Sequence, residues 1–304
     1  MKKDQQHSPP QTWLAPLRGV TTRTFRATFS RPIREAGFSC AFAPFVPANP
    51  GLRISGRLFA ELPSPSPNSL PLVPQVITRH PDAMRDFLSA CRDRGFDRVD
   101  LNAGCPFPMI RRRGRGAALL ANPALLEKLL ETGCEVLGPG RFSVKTRLGV
   151  ERPDELLKLM PVFNRYPLAV LTIHARTAKQ MYDGSCDLPR FHEAAAASSN
   201  PIAYNGDVGT DPSNMGTDPK INCDICALMI GRAFIRNIGK RADAPELLSS
   251  YIDACQAELH GDRPVLGRIK ELLAYWTEGD GRWRRVWPLA KICRSVAELK
   301  EIVK

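Results

Sequence analysis

Eight short apolar runs recur between Trp13 and Ile230: Trp13–Leu17, Ala41–Val46, Leu72–Ile77, Val99–Leu101, Phe142–Arg147, Leu168–Ile173, Pro201–Tyr204 and Cys226–Ile230. Stretches of helical spacing lie between them. They include Met84, Phe87, Leu88 and Cys91 within Ala83–Arg94, a run through Phe25 and Phe29 that Thr21 or Thr22 can cap, Pro123–Leu130 and Pro153–Met160. A further helix is expected to begin near Ala117. Strands alternating with helices imply a parallel sheet with helical crossovers. Eight such units are the count of an α/β fold of the (β/α)8 TIM-barrel type. An open doubly wound sheet is the rival, and the absence of GxGxxG after the first strand counts against it. Pro44 should end or bend the second strand. Gly51–Leu70, with Pro63, Pro65 and Pro67, reads as an exposed loop. From Ala244 the strands stop, and three helical patterns follow, Leu247 to Ile252, Leu266 to Leu273 and Leu289 to Leu299. They read as a small helical bundle. A barrel domain over 1–243 and a helical domain over 244–304 are therefore expected.

A barrel gathers its chemistry at the C-terminal ends of its strands. Those ends carry Gln75, Asn102 with Cys105, Lys145 with Arg147, His174 with Arg176, Asn205 with Asp207, and Arg232. A lone histidine in such a place is more often structural. A lysine is less expected there, because its buried charge needs an anionic partner. Six strand ends furnished in this way point to a site. Asn205-Gly206-Asp207 and Gly231-Arg232 follow the last two strands, where barrels commonly hold phosphate. The glycines admit backbone N–H groups, a helix N-terminus adds positive potential, and Arg232 can pair with the anion. With Lys145 in the barrel mouth, FMN suits the arrangement, although other phosphorylated molecules bind such sites.

The stretch Arg98–Leu120, RVDLNAGCPFPMIRRRGRGAALL, sets a cysteine just past a strand end. Gly104 before it, Pro106 after it, and Arg111, Arg112, Arg113 and Arg115 beyond put Cys105 on a turn beside dense positive charge. The ordinary reading of a cysteine is a small buried hydrophobe. This setting favours a reactive one.

Lys and Arg outnumber Asp and Glu by 43 to 31, a net charge of +12 over 304 residues. An excess of that size suits a polyanionic partner where it is clustered. One cluster is the loop after Cys105. Another runs from Arg282 to Arg294, where Arg284, Arg285 and Lys291 interleave with Trp283 and Trp287. Basic residues beside aromatics suit RNA, and equally a solvated face with tryptophans packed beneath. Nine cysteines without a regular framework fit a reducing cytoplasm. Cys223 and Cys226 form a lone CxxC with no second pair, so Cys226 reads as core or incidental and no metal is expected. The polar start MKKDQQHSPPQ lacks an apolar h-region, and no run reaches membrane-spanning length. A cytoplasmic, monomeric protein is expected.

Taken together, LAPLRGV (Leu14–Val20), VPQV (Val73–Val76), DLNAGCP (Asp100–Pro106), GAALL (Gly116–Leu120), VKTRLG (Val144–Gly149), TIHART (Thr172–Thr177), YNGDV (Tyr204–Val208) and MIGRA (Met229–Ala233) resemble the tRNA-dihydrouridine synthase family. The stretches run in family order through the whole barrel. RIKELLAYW (Arg268–Trp276) resembles the C-terminal helical domain of the bacterial enzymes, most nearly the C-type that acts on D-loop uridine 16. The resemblance implies reduction of the 5,6 double bond of a tRNA uridine through FMN, with NADPH as reductant. It implies FMN contacts from Pro16, Leu17, Arg18, Gln75, Lys145, His174, Asn205, Gly206, Asp207, Gly231 and Arg232. It implies Cys105 as proton donor, with Asn102, Arg147 and Arg176 near the base. Arg18 departs from the family, which usually has a small or acidic residue there, but only its backbone is needed for the cofactor. Arg111, Arg112, Arg113, Arg115, Arg282, Arg284 and Arg285 would hold the tRNA through its phosphates.

The implied chemistry suits these residues. Hydride arriving at C6 leaves an enolate that needs a proton at C5. A thiol gives one only while it is still protonated, so an ionised Cys105 would be counterproductive. The uridine must leave its stack to reach a barrel mouth. Two rival readings stand beside this one. A small-molecule FMN reductase of dihydroorotate dehydrogenase-like type would need neither the basic loop nor the helical tail. A non-catalytic tRNA-binding protein would need neither Cys105 nor Lys145.

Overall fold

The computed structural model describes residues 9–51, 59–63, 69–208, 221 and 224–303. Its strands are β1 (Gln11–Leu14), β2 (Cys40–Phe42), β3 (Val46–Pro47), β4 (Leu72–Val73), β5 (Gln75–Ile77), β6 (Val99–Asn102), β7 (Phe142–Gly149), β8 (Val170–Thr177), β9 (Ile202–Asn205) and β10 (Ala227–Ile230). Every pairing is parallel, in the order β3-β5-β6-β7-β8-β9-β10-β1-β2-β4. β2 and β3 are halves of one expected strand parted around Pro44, and β4 and β5 are halves of another parted at Pro74. Proline has no N–H to give the ladder. β2 pairs with β4 and β3 with β5, the register slipping by one residue between the two pairs. The two apparent edges of the sheet are therefore the same two strands, and eight strand positions close into a barrel.

Strand side chains alternate between the two faces. Val76, Leu101, Val144 and Leu171 face outward into the main core beneath the helices. The inward residues divide by strand. Trp13, Phe42, Val73, Ala203, Ala227 and Met229 form an apolar plug. On β5 to β8 the buried polar side chains Gln75, Asp100, Asn102, Ser143, Thr172, His174 and Arg176 alternate with that outward set.

Several elements differ from the periodicity reading. Thr22 does cap Arg23–Thr28, its Oγ1 accepting from the Phe25 N–H at 3.4 Å. The helix expected near Ala117 is instead a 3-10 turn over Gly116–Ala121. Asn122 then accepts from the Leu125 N–H at 3.1 Å and starts Pro123–Leu137. The described part of the 51–70 loop is not all exposed. Phe59 is buried, stacks 6.1 Å from Phe87 and lies beneath the Arg94 guanidinium at 3.7 Å. The rest of that loop, 52–58 and 64–68, lies outside the described residues, as does Cys223. Cys226 is exposed at the foot of β10 rather than in the core.

The C-terminal segment forms four helices rather than three: Ala244–Glu258, Asp262–Gly279, Gly281–Ile292 and Val296–Ile302. The third apolar pattern continues across a break at Cys293-Arg294, because both flanking helices pack on the same core. Ser295 caps the second of them, accepting from the Glu298 N–H at 3.1 Å. This segment shares its core with the barrel. Phe29 meets Tyr251 at 5.3 Å and Trp276 at 6.4 Å. Trp276 lies so close over Gly239 that a Cβ there would sit 2.6 Å from its ring. Among the described residues no helix is long and apolar enough to cross a membrane, and no cluster of three metal-ligating side chains occurs.

Replacing Trp276, which is fully buried at this junction, is expected to be costly. Trp276→Ala should destabilise the protein by about 3–5 kcal/mol in urea unfolding. A loss below about 1 kcal/mol would mean that the helices dock on the barrel without a shared core.

Candidate active site

The end of β6 turns sharply through Gly104, Cys105 and Pro106. Asn102 shapes that turn, its Oδ1 accepting the N–H of Cys105 at 2.8 Å and of Gly104 at 3.2 Å. Gly104 lies against β7, where a Cβ would come within 3.1 Å of the Thr146 carbonyl carbon. Gly116, at φ +59°, passes directly behind the cysteine, and a Cβ there would lie 2.8 Å from the Cβ of Cys105. Arg147 braces the turn from within the barrel. Its Nε donates to the Gly104 carbonyl at 2.9 Å, and its Nη1 to the carbonyls of Thr177 at 2.9 Å and Met181 at 2.7 Å.

A cavity of about 930 Å³ opens at this rim. Cys105, Asn102, Lys145, Arg147, His174, Asn205, Gly206, Asp207, Gly231 and Arg232 line it, together with Pro16, Leu17 and Arg18. Burial pushes the Cys105 thiol up, against the pull of the Phe107 backbone N–H and the Arg147, Arg18 and Lys145 cations. The thiol is therefore protonated at neutral pH. Lys145 Nζ donates to Asn205 Oδ1 at 2.7 Å, and Asn205 Nδ2 donates onward to the Met229 carbonyl at 2.7 Å. Burial first and Arg147 second lower Lys145 to about 7. His174 is held well below its usual value by burial and by Arg147, Lys145, Arg176 and Arg232, so its ring is neutral. Arg176 Nη1 lies 3.3 Å from His174 Nε2. Arginine only donates, so Nε2 accepts and the ring proton is on Nδ1.

Two residues expected at the site do not line the cavity. Gln75 is buried below it, with its amide bonded to Asp100 and Asn102. Arg176 is buried and paired with Asp207, and it also donates to the Gly184 carbonyl at 2.6 Å. The basic loop is likewise divided. Arg111 pairs with Glu151 at 3.5 Å, Arg115 is buried and bonded to Asn49, and Arg112 and Arg113 are exposed. In the C-terminal cluster, Arg282 donates to the carbonyls of Gly239 at 3.1 Å and Arg241 at 3.2 Å, while Arg284 and Arg285 are exposed. Trp283 is buried, its Nε1 donating to the Gly239 carbonyl at 2.7 Å, so it is not a free stacking surface.

The sequence reading missed Tyr182. Its ring lies 4.7 Å under the Arg232 guanidinium and 5.3 Å from that of Arg147, and it lines the cavity. Phe45, Phe107, Glu271 and Tyr275 also line it unforeseen. The one available signal was an aromatic on the loop after β8, at the rim where barrels do chemistry.

The family model for dihydrouridine synthase (Dus) matches residues 13–264. A probable tRNA-dihydrouridine synthase of Aquifex aeolicus is 32% identical over 143 residues, 46% of this chain and 44% of that protein. The tRNA-dihydrouridine synthase B of Pectobacterium carotovorum is 26% identical over 281 residues, 88% of this chain and 81% of that protein. A tRNA-dihydrouridine(16) synthase of Vibrio vulnificus is 24% identical over 262 residues, 82% of this chain and 81% of that protein. Among solved structures, the old yellow enzyme of Trypanosoma cruzi aligns with a TM-score of 0.51 at 12% identity, covering 78% of this chain and 88% of that one. That likeness shows the barrel fold.

The contact between Gly116 and Cys105 generates a test. Gly116→Ala introduces a side chain at positive φ against the cysteine, and should destabilise the protein by about 1–3 kcal/mol. Cys105 should also be alkylated faster, read peptide by peptide in mass spectrometry. Unchanged stability and labelling would show slack behind the thiol.

Proposed function

This chain belongs to the dihydrouridine synthase family, and on that premise we propose that it is an FMN-dependent tRNA-dihydrouridine synthase. The target is the C5–C6 bond of a D-loop uridine, position 16, and the reductant is NADPH. One observation carries this reading: a protonated thiol, Cys105, and a half-buried amine, Lys145, line the same cavity. The names of the Pectobacterium and Vibrio relatives support tRNA as substrate, and the Vibrio name supports position 16.

The cavity's donor set suits FMN. Ala15, Pro16 and Leu17 offer an apolar wall, Asn205 and His174 Nδ1 offer hydrogen bonds, and Arg232 is held by Asp207 only at 3.4 Å. Gly231 leaves backbone bare beside Ala15, where a Cβ would come within 3.2 Å of the alanine's own. When bound, the flavin supplies hydride to uracil C6 and is restored by NADPH. The chain's residues do the remainder. Cys105 gives its proton to C5 as negative charge develops on the base. Lys145 takes up a proton when an anionic edge faces it, and stabilises that charge. Arg147 and Asn102 keep the thiol in place. The exposed Arg112, Arg113, Arg284 and Arg285 meet RNA phosphates.

Incubated with NADPH and unmodified tRNA, the protein should form dihydrouridine at one D-loop position, mapped by mass spectrometry. Cys105→Ala should lower the rate by about 100-fold or more. A flavin-loaded protein that oxidises NADPH yet modifies no tRNA would overturn the reading in favour of a small-molecule reductase.

A second prediction concerns pH. Free Lys145 titrates at about 7 and regains charge when an anion binds. Binding of reduced FMN, whose ring edge is anionic above about pH 7, should therefore take up a proton, and its affinity should fall by up to about tenfold per pH unit as pH rises. Titration calorimetry in buffers of different ionisation enthalpy measures that uptake. No proton uptake would show that Lys145 does not face the anion.

A further inference from the structure

Beneath the Cys105 turn, a line of buried side chains runs down into the barrel. Asn102 holds the turn through Oδ1, and its Nδ2 donates to Gln75 Oε1 at 2.8 Å. Gln75 Nε2 in turn donates to Asp100 Oδ2 at 2.7 Å, and Ser143 Oγ donates to Asp100 Oδ1 at 2.8 Å. Register pairs Gln75 with Asp100 across β5 and β6, and Asp100 with Ser143 across β6 and β7. Gln75, Asp100 and Ser143 are wholly buried, so no water competes for these bonds.

The line has a direction, fixed at the top by the Gly104 and Cys105 N–H groups, which only donate to Asn102, and at the bottom by Asp100. An amide donates from one end and accepts at the other. If Gln75 reversed, its carbonyl would face the Asp100 carboxylate. Asn102 would reverse in response and set its own NH2 against the N–H groups of Gly104 and Cys105. An ionised carboxylate can only accept, so it forbids this. Asp100 is not the ion-pair partner of Lys145, whose ammonium turns to Asn205. Burial pushes Asp100 up to about 6, while the hydrogen bonds from Gln75 and Ser143 and the nearby Lys145 and Arg98 cations hold it low enough to stay ionised at neutral pH.

We propose that Asp100 is a positioning residue, the obligate acceptor that orients the Gln75 and Asn102 amides and so holds Cys105 where it can give its proton. This rests on the reading of Cys105 as proton donor. It gives Gln75 a part in the reaction without contact with substrate.

The test compares flavin-loaded wild type, Asp100→Leu, Asp100→Asn, and Asp100→Asn combined with Gln75→Glu. At equal flavin occupancy, Asp100→Leu should lower kcat by about tenfold or more, the scale of a displaced reacting group, with KM for tRNA within about twofold. Asp100→Asn is isosteric and keeps the test available should the leucine variant not fold. Its amide can face either way, so a loss of about threefold is expected. The double variant restores a carboxylate that accepts from Asn102 and from the new amide, and should return kcat to within about twofold of wild type. A purely structural role would lower stability without this kcat-specific loss and rescue. Wild-type kcat in Asp100→Leu, or a double variant no better than Asp100→Asn, would overturn the proposal. The alkylation rate of Cys105 is read in the same proteins and presumes no reaction. If wild type forms no dihydrouridine, the functional reading fails, and an unchanged alkylation rate in Asp100→Leu still overturns the positioning claim.

Discussion

The two loops that frame the cavity hang on one buried guanidinium. Arg147, 2% exposed, donates to the carbonyl of Gly104 on the cysteine turn and to those of Thr177 and Met181 on the loop that carries Tyr182. Burial lowers its pKa to about 10, so it stays charged at neutral pH. A buried charge of this kind is tolerated only when its donors are met, and here they are met by carbonyls rather than by a carboxylate. The consequence is electrostatic. Arg147 remains an uncompensated cation beside Lys145 and His174, and helps to hold both below their usual pKa. The same group fixes the thiol's place and sets the charge state of its neighbours.

That arrangement depends on the uneven interior of the barrel. The plug formed by β9, β10, β1, β2 and β4 is apolar and supplies packing. The opposing strands carry polar side chains that find partners inside, apart from the buried Thr172 hydroxyl. Gln75 to Asp100 to Ser143 are short lateral steps between adjacent strands, where parallel register sets the residues side by side, while Lys145 on β7 reaches past β8 to Asn205 on β9. The register that forms the barrel thus also forms the networks.

The barrel was legible in the sequence because fully buried strands are short apolar runs bounded by turn residues, and that pattern is local. So were the residues at the strand ends, since alternation puts Asn102, Lys145 and His174 on the inward face. What was not legible depended on partners far along the chain. Nothing local shows that Arg147 braces a turn more than forty residues earlier, or that Gln75 is drawn below the cavity by Asp100. Phe59 lies in a proline-rich stretch, and its burial requires Phe87 and Arg94. Tyr182 sits in a polar loop with no periodicity. The break at Cys293-Arg294 was hidden because the apolar spacing runs on across it. The Ser295 cap was the signal to read there.

The basic charge shows the same limit. A net +12 suggests a broad cationic surface, but several of the arginines first singled out for RNA are already engaged. Arg115 and Arg176 are buried, Arg111 faces Glu151, and Arg282 caps carbonyls at the end of the helix Arg232–Ile238. The planar, multi-donor guanidinium suits such roles better than an ammonium does. Counting basic residues therefore overstates what a polyanion meets. The salt dependence of binding follows the number of phosphates neutralised, so under the proposed tRNA reading the exposed Arg112, Arg113, Arg284 and Arg285 would govern that number more than the composition does.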